Sequence, residues 1–267
     1  LDKAIDMTDP NVLVQVARDA RGVATLTLHD PARFNALGSE MLAALQQALD
    51  ALAQDETLRV VVLAAAGKAF CAGHNLKDMA QHPELAWYQQ LFAQCSRVML
   101  SLHKLPVPVI ARVHGMATAA GCQLVAQCDL AVAADCASFA TSGIHYGLFC
   151  STPSVPLVRN VPAKRAMEML LTGDFIDAAT AKQEGLVNRV VPLEALDAAV
   201  DQLVQSILEK PRAAVAMGKA LVYRQRELGL EAAYQLAGQT MAVNMMDEAA
   251  QEGARAFAEK RKPDWKR

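Results

Sequence analysis

Short apolar runs and helical spacings alternate through the first two thirds of the chain. Residues 12–16 and 23–28 are β-rich and flank the polar turn Arg18, Asp19, Ala20, Arg21, Gly22, which predicts a hairpin. Apolar positions at helical spacing then predict a helix over 41–52 with Ser39 as its N-cap. Residues 60–65 (VVVLAA) read as a strand buried on both faces. The unit recurs as a loop at 67–75, a helix at 85–102, a strand at 109–113, a Gly/Ala turn, a short helix at 121–127 and a strand at 130–133. Strands that alternate with helices require crossover connections, so the class is α/β. Pro106 and Pro108 fence the start of the 109–113 strand, since neither donates to a ladder and each biases its predecessor away from helix. From Pro162 onward the pattern turns helical, over 163–171, 178–184, 193–208, 212–228 and 230–260. The expected division is an α/β core over residues 1–161 and a helical region over 162–267.

Composition narrows the partners. With 53% hydrophobic and 20% charged residues and a net charge of -2, the chain has no cationic excess for nucleic acid or an anionic membrane. No apolar run reaches the length of a membrane span, and the acidic start with Asp2, Asp6 and Asp9 is unlike a secretory or transit peptide. A soluble protein with a small-molecule or protein partner is expected. Six cysteines lie without CxxC or zinc-like spacing and are expected as free thiols in a reducing compartment. Neither a metal-ligand cluster nor a dinucleotide glycine fingerprint is present, so no metal or redox cofactor is expected.

Three segments concentrate candidate chemistry: GKAFCAGHNL at 67–76, VHGMATAAGCQL at 113–124 and SFATSG at 138–143. Each begins where a strand-like run gives way to small residues, the place where ligands meet backbone in open α/β sheets. Small residues let a ligand approach main-chain N–H groups, and a helix starting at Gly121 would aim its positive end at what precedes it. Two such N–H groups from separate loops would form an oxyanion hole suited to an enolising thioester. The alternative is that these small residues only permit tight helix–strand packing.

Together with PARFNAL at 31–37, LTGD at 171–174, AKQEGLV at 181–187 and EGARAF at 252–257, these segments resemble, in order and spacing, the enoyl-CoA hydratase/isomerase (crotonase) family. The resemblance runs from about Val12 to Lys262. The stretch from SFAT at 138–141 through GLFCSTP at 147–153 is most similar to the enoyl-CoA-hydratase-domain-containing branch, found in mitochondria and in bacteria. The resemblance implies a ClpP-like spiral of ββα turns followed by a helical trimerisation region, a homotrimer or hexamer, and a mitochondrial-matrix or bacterial cytoplasmic location. It implies an acyl-CoA thioester as substrate, with coenzyme A entering only as part of that substrate.

By the same resemblance the oxyanion donors are the backbone N–H groups of Ala72 and Ala120. Ala120 stands where glycine is usual, and an alanine adopts positive φ less readily. Arg33, Phe34, Ala36, Phe70, His74, Asn75, Leu76 and Met116 are expected to line the coenzyme A arm and thioester. Phe257 and Lys260 are expected to complete a neighbouring subunit's site. Arg33 could instead be a solvated loop arginine, and Phe257 a core residue of the last helix.

The pattern breaks at the acid–base pair. A hydratase of this family carries one glutamate three residues after the second oxyanion donor and another in the next loop. Here those positions hold Gln123 and Gly143. An amide orients water but does not take its proton, so ordinary hydration is expected to be weak. Nearby polar groups are His74, Asn75, Asp78, His145, Tyr146, Cys150 and Ser151. His145 is the candidate substitute base. His145 with Cys150 could be a nucleophilic pair, and His74 could touch the thioester or cap the following helix. Three readings follow: another acyl-CoA reaction such as isomerisation, decarboxylation or thioester hydrolysis, weak hydration through Gln123-held water, or non-catalytic acyl-CoA binding.

Overall fold

The computed structural model describes residues 12–265. β1 (Val14–Arg18) and β2 (Val23–Leu28) form the expected antiparallel hairpin, with Val14 opposite Leu28. α1 (Ser39–Ala53) buries Met41, Leu42, Leu45, Ala48, Leu49 and Leu52, the stripe its spacing predicts. Its N-cap is Gly38, with no side-chain cap, rather than Ser39. Ser39 is already helical, and the first turn closes from Leu42 N–H to the Gly38 carbonyl.

The chain then winds as a spiral. In the first turn β3 (Val60–Ala65) lies in a large sheet, β4 (Ala69–Cys71) in a small one, and α2 (Leu76–Gln81) with α3 (Leu85–Lys104) leads back. The second turn repeats this with β5 (Val109–Val113), β6 (Met116–Thr118) and α4 (Ala120–Gln127). The third uses β7 (Leu130–Ala134), β8 (Ser138–Ala140), a 3₁₀ turn at Ser142–Tyr146, α5 (Ser151–Asn160) and α6 (Ala163–Thr172). The rest comprises β9 (Ile176–Asp177), α7 (Ala178–Gln183), β10 (Arg189–Val191), α8 (Leu196–Leu208), α9 (Arg212–Gln225), α10 (Leu230–Met245) and α11 (Glu248–Ala258).

The six-stranded sheet runs β1-β2-β3-β5-β7-β10 and the four-stranded sheet β4-β6-β8-β9. From β2 to β10 the large sheet is parallel, and β3 is buried at every residue, as a strand covered on both faces must be. One face packs into the spiral interior with Leu26, Leu63, Ala111 and Ala133. The other, with Val60, Val62, Ile110 and Val132, is covered by Leu196, Ala199, Val200 and Val204 of α8.

This placement changes the expected division at Val161. β9 and β10 belong to the two sheets and α8 covers a sheet face, so the α/β core continues to about Leu208. The helical extension proper is α9 to α11. It is anchored where Lys219 of α9 pairs with Asp129 at 2.7 Å and donates to the carbonyls of Leu102 and Val107, while Tyr223 donates to the same carboxylate at 2.6 Å. Beyond that anchor the extension buries little of itself. α9 has no buried residue, α10 only Ala233 and α11 only Ala256. Among the described residues no helix is long and apolar enough to cross a membrane.

Candidate functional site

The site forms where the first and second spiral turns meet. Asn35 ties the 31–37 segment to the 66–70 strand end: its buried amide nitrogen donates to the carbonyls of Ala66, Ala69 and Phe70, and its oxygen accepts from Asp30 N–H. Phe34 and Asn35 are consecutive left-handed residues, at φ 51 and 55, which folds the segment back over the 71–74 loop. There Ala72 N–H donates to the Phe34 carbonyl at 3.0 Å and Leu37 N–H to the Gly73 carbonyl at 2.7 Å.

This lacing occupies Ala72 N–H, the group expected as the first oxyanion donor. Ala72 N–H is already committed to Phe34, and Gly73 N–H lies 3.5 Å from the Cys71 thiol sulfur. The next N–H along, that of His74, has no acceptor among the described residues. Gly73 has φ +85, and a methyl placed on it would sit 2.8 Å from Ala119 Cβ and 3.0 Å from Ala120 N. Only glycine permits that conformation and that approach. The His74 backbone is thereby held against the start of α4.

α4 begins on a strained residue. Ala119 has φ 50 and ψ -120, while Ala119 N–H remains bonded to the Ala140 carbonyl at 2.9 Å. The strain foreseen at Ala120 therefore falls one residue earlier, and Ala120 itself is helical. A sharp strand-to-helix turn of this kind presents the N–H of the following residue, here Ala120, which as the first helical residue has no intrahelical acceptor. Gly121 makes the approach possible, because a methyl there would lie 2.1 Å from the Cys71 carbonyl oxygen.

Two side chains at this junction carry buried polar atoms without partners. Gln123 is 4% exposed, and its Oε1 has no hydrogen bond. His74 Nδ1 lies 2.9 Å from the Leu37 carbonyl, which only accepts, so Nδ1 carries the proton. His74 Nε2 is then a bare lone pair, shut off from solvent and without a donor among the described residues, and the imidazole meets the Phe92 ring edge-on with ring centroids 5.4 Å apart. Burial pushes the His74 pKa below its ordinary value, which keeps the imidazole neutral. Capping of the following helix falls instead to Asn75, whose side chain accepts from Lys77 N–H at 3.1 Å.

Other expected site residues divide. Arg33 is ion-paired through Nε to Asp30 at 3.0 Å and remains 60% exposed. Phe34 and Leu76 are exposed, while Ala36 and Met116 are half-buried. Phe70 is fully buried in the main core cluster, so it is a packing residue and does not line a surface that substrate reaches. Phe257 is 86% exposed, which removes the reading of it as a core residue of the last helix. Lys260 follows it in a left-handed turn.

The 138–146 loop is fixed by other bonds. Thr118 and Ser142 hydroxyls meet at 2.7 Å, and Thr141 donates to the Met169 carbonyl at 2.7 Å. His145 lies against Gly173 with Nε2 at 3.2 Å from its carbonyl, so that nitrogen holds its proton as a donor. That bond anchors His145 to the end of α6 and leaves Nδ1 as the ring nitrogen able to accept a proton. Cys150 is buried, and burial pushes its thiol pKa up, which disfavours the thiolate a nucleophilic pair would need. Gly143 does not have positive φ. It is needed for space, because a Cβ there would meet the Leu148 carbonyl oxygen at 2.6 Å and the Cys150 sulfur at 2.8 Å.

Known proteins share this fold and much of this sequence. A family model described as enoyl-CoA hydratase/isomerase matches residues 18–267. The mouse mitochondrial enoyl-CoA hydratase domain-containing protein 3 is 45% identical over 248 residues, 93% of this chain and 83% of that protein. The crystal structure of its human counterpart superposes with a TM-score of 0.91 at 42% identity, covering 95% of this chain and 100% of that one. An enoyl-CoA hydratase structure from Mycobacterium smegmatis superposes at 0.94 with 62% identity, covering 95% and 98%. With the family model spanning nearly the whole chain and the fold matched by these structures, the chain has the crotonase fold and belongs to the enoyl-CoA hydratase/isomerase family.

Proposed function

We propose that the protein binds acyl-CoA thioesters and stabilises their enolate between two main-chain N–H groups, those of His74 and Ala120. The observation that supports this is the approach of Gly73 to the Ala119–Ala120 peptide at the positive end of α4, where the N–H groups of His74 and Ala120 have no acceptor among the described residues. Arg33, Phe34, Ala36 and Leu76 flank the approach and hold the coenzyme A arm, Arg33 through its exposed charge. Hydration in the ordinary sense is weak, because Gln123 and Gly143 occupy the places of the two carboxylates.

Titration calorimetry tests the thioester site. Butyryl-CoA is expected to bind more tightly than coenzyme A itself, by about tenfold for each 1.4 kcal/mol that the two N–H donors add. Equal affinities would remove the thioester from the proposed place.

The apolar residues left bare on the extension support assembly into a homotrimer or hexamer. Leu230, Tyr234, Met241 and Met246 of the α10 region are each more than 70% exposed, as is Phe257. In the assembly Phe257 and Lys260 reach a neighbour's coenzyme A. Sedimentation should give a mass three or six times the 28.7 kDa of the chain, and a monomer that binds butyryl-CoA with full affinity would contradict the shared site. Relatives in mitochondria and in a bacterium support a matrix or bacterial cytoplasmic location.

A further inference from the structure

We infer that His103 is an acid-released latch for the helical extension: α9 seats against the neutral imidazole and loosens when the ring takes a proton. The inference is independent of the thioester site. It concerns how α9 to α11 are held to the core.

The latch lies at the C-terminal end of α3. The last carbonyls of a helix lack intrahelical donors and form the negative end of its dipole, so a cation is favourable there. At the end of α3 the extension supplies that cation. Lys219 of α9 donates to the Leu102 carbonyl at 3.0 Å and to the Val107 carbonyl at 2.9 Å. His103 follows Leu102 in the same last turn and is half-buried. Its ring centroid lies 3.9 Å from that of Tyr223, one turn beyond Lys219 on α9. The extension thus sets an ammonium and an aromatic ring against a single turn of α3.

A proton on His103 would bring a second cation into this seat. Burial disfavours the charged ring, and the charges of Lys219 and Lys104 repel it, which together hold His103 below the ordinary histidine pKa. The groups that favour the charged ring are two carboxylates, Asp129 of the core and Glu227 just past α9. Both are already engaged. Asp129 accepts from Lys219 and from Val109 N–H, each at 2.7 Å, and from the Tyr223 hydroxyl at 2.6 Å, while Glu227 lies 3.6 Å from Arg159.

Docking and protonation are therefore linked. When α9 lifts away, Lys219 and the covering surface leave His103, and the ring protonates nearer its ordinary pKa of about 6.5. The released state then binds more protons than the docked one, so docking strengthens as pH rises. It is at full strength above about pH 6.5 and weakens below it, by at most about tenfold per pH unit for one proton.

Hydrogen exchange of the intact protein tests this on the backbone amides of residues 212–225, at about pH 8 and about pH 5.5. The parent is compared with His103→Phe, which keeps an aromatic ring against Tyr223 and takes no proton. Comparing the two at the same pH cancels the effect of pH on intrinsic exchange. The ratio of parent to variant exchange rates should rise several-fold, up to about tenfold, between the higher and the lower pH. Should His103→Phe fail to melt and sediment like the parent, His103→Gln, uncharged at both pH values, makes the same comparison. A ratio that is the same at both pH values in a folded variant would overturn the latch, because a ring that only packs against Tyr223 carries no pH dependence. A ratio that falls toward the lower pH would overturn it as well, since the proton would then be strengthening the contact.

Discussion

Lys219→Met should destabilise the protein by about 3–5 kcal/mol, the usual consequence of leaving one partner of a buried ion pair alone. The Lys219 side chain is 6% exposed and lies 2.7 Å from Asp129, whose side chain is 16% exposed. Desolvation lowers the lysine pKa, and the facing carboxylate works against that shift. Removing the ammonium leaves Asp129 with Val109 N–H and the Tyr223 hydroxyl as donors, but with no compensating charge. The carbonyls of Leu102 and Val107 lose their donor in the same change. Since this cluster fixes α9 to the core, the loss should appear in the assembly as well as in the fold. Urea midpoints measured at a fixed protein concentration should fall sharply. The double variant Lys219→Met with Asp129→Asn should recover part of the loss, because no buried charge then stands unpaired. A single variant with an unshifted midpoint would mean that the extension is held by something else.

The second large effect concerns rate. Crotonyl-CoA hydration by the unaltered protein should be slow, by roughly 10²–10⁴-fold for each missing acid or base if the two act independently. Groups that work as a unit do not add in this way, so the combined loss is expected to be smaller than the product. Gln123→Glu should raise the rate modestly. The position is buried, so the new carboxyl would be desolvated and its pKa raised, and it would still lack a partner. Completing the pair at Gly143 is blocked by space, since any side chain there meets Leu148 and Cys150. The obstacle is steric and not the positive φ that a loop glycine suggests. Gly143→Glu is therefore expected to distort the 142–150 loop and lower the melting temperature without restoring hydration. Rapid hydration by the unaltered protein would show that a second acid or base has been overlooked.

Much of the fold was legible because its parallel strands are buried on both faces and so read as continuous apolar runs, as in VVVLAA at 60–65. β9 and β10 were not. They are two and three residues long, leave no periodicity, and exist through pairing with β8 and β7. Without them the sequence pattern ends the core at Val161. The segments that meet at the start of α4 were legible, and which of their single groups are left without protein partners was not. Which N–H of the 72–74 loop is left for a ligand depends on where the Phe34 carbonyl lands, which is a consequence of two left-handed residues in another segment. The fate of His145 likewise depends on Gly173 at the end of α6. His74 carried a visible signal, a histidine beside an expected oxyanion donor. Its orientation is set by the Leu37 carbonyl, and no local pattern announces that bond.

Isotope-edited infrared spectroscopy of butyryl-CoA labelled with ¹³C at the thioester carbonyl bears most directly on the proposed site. Two hydrogen bonds from His74 and Ala120 N–H polarise the carbonyl toward the enolate, so its stretch should move to lower frequency on binding. The shift should persist in His74→Asn, which keeps the backbone donor. A bound thioester whose carbonyl stretch matches that of the free molecule in an apolar solvent would place the carbonyl away from both groups and contradict the oxyanion site.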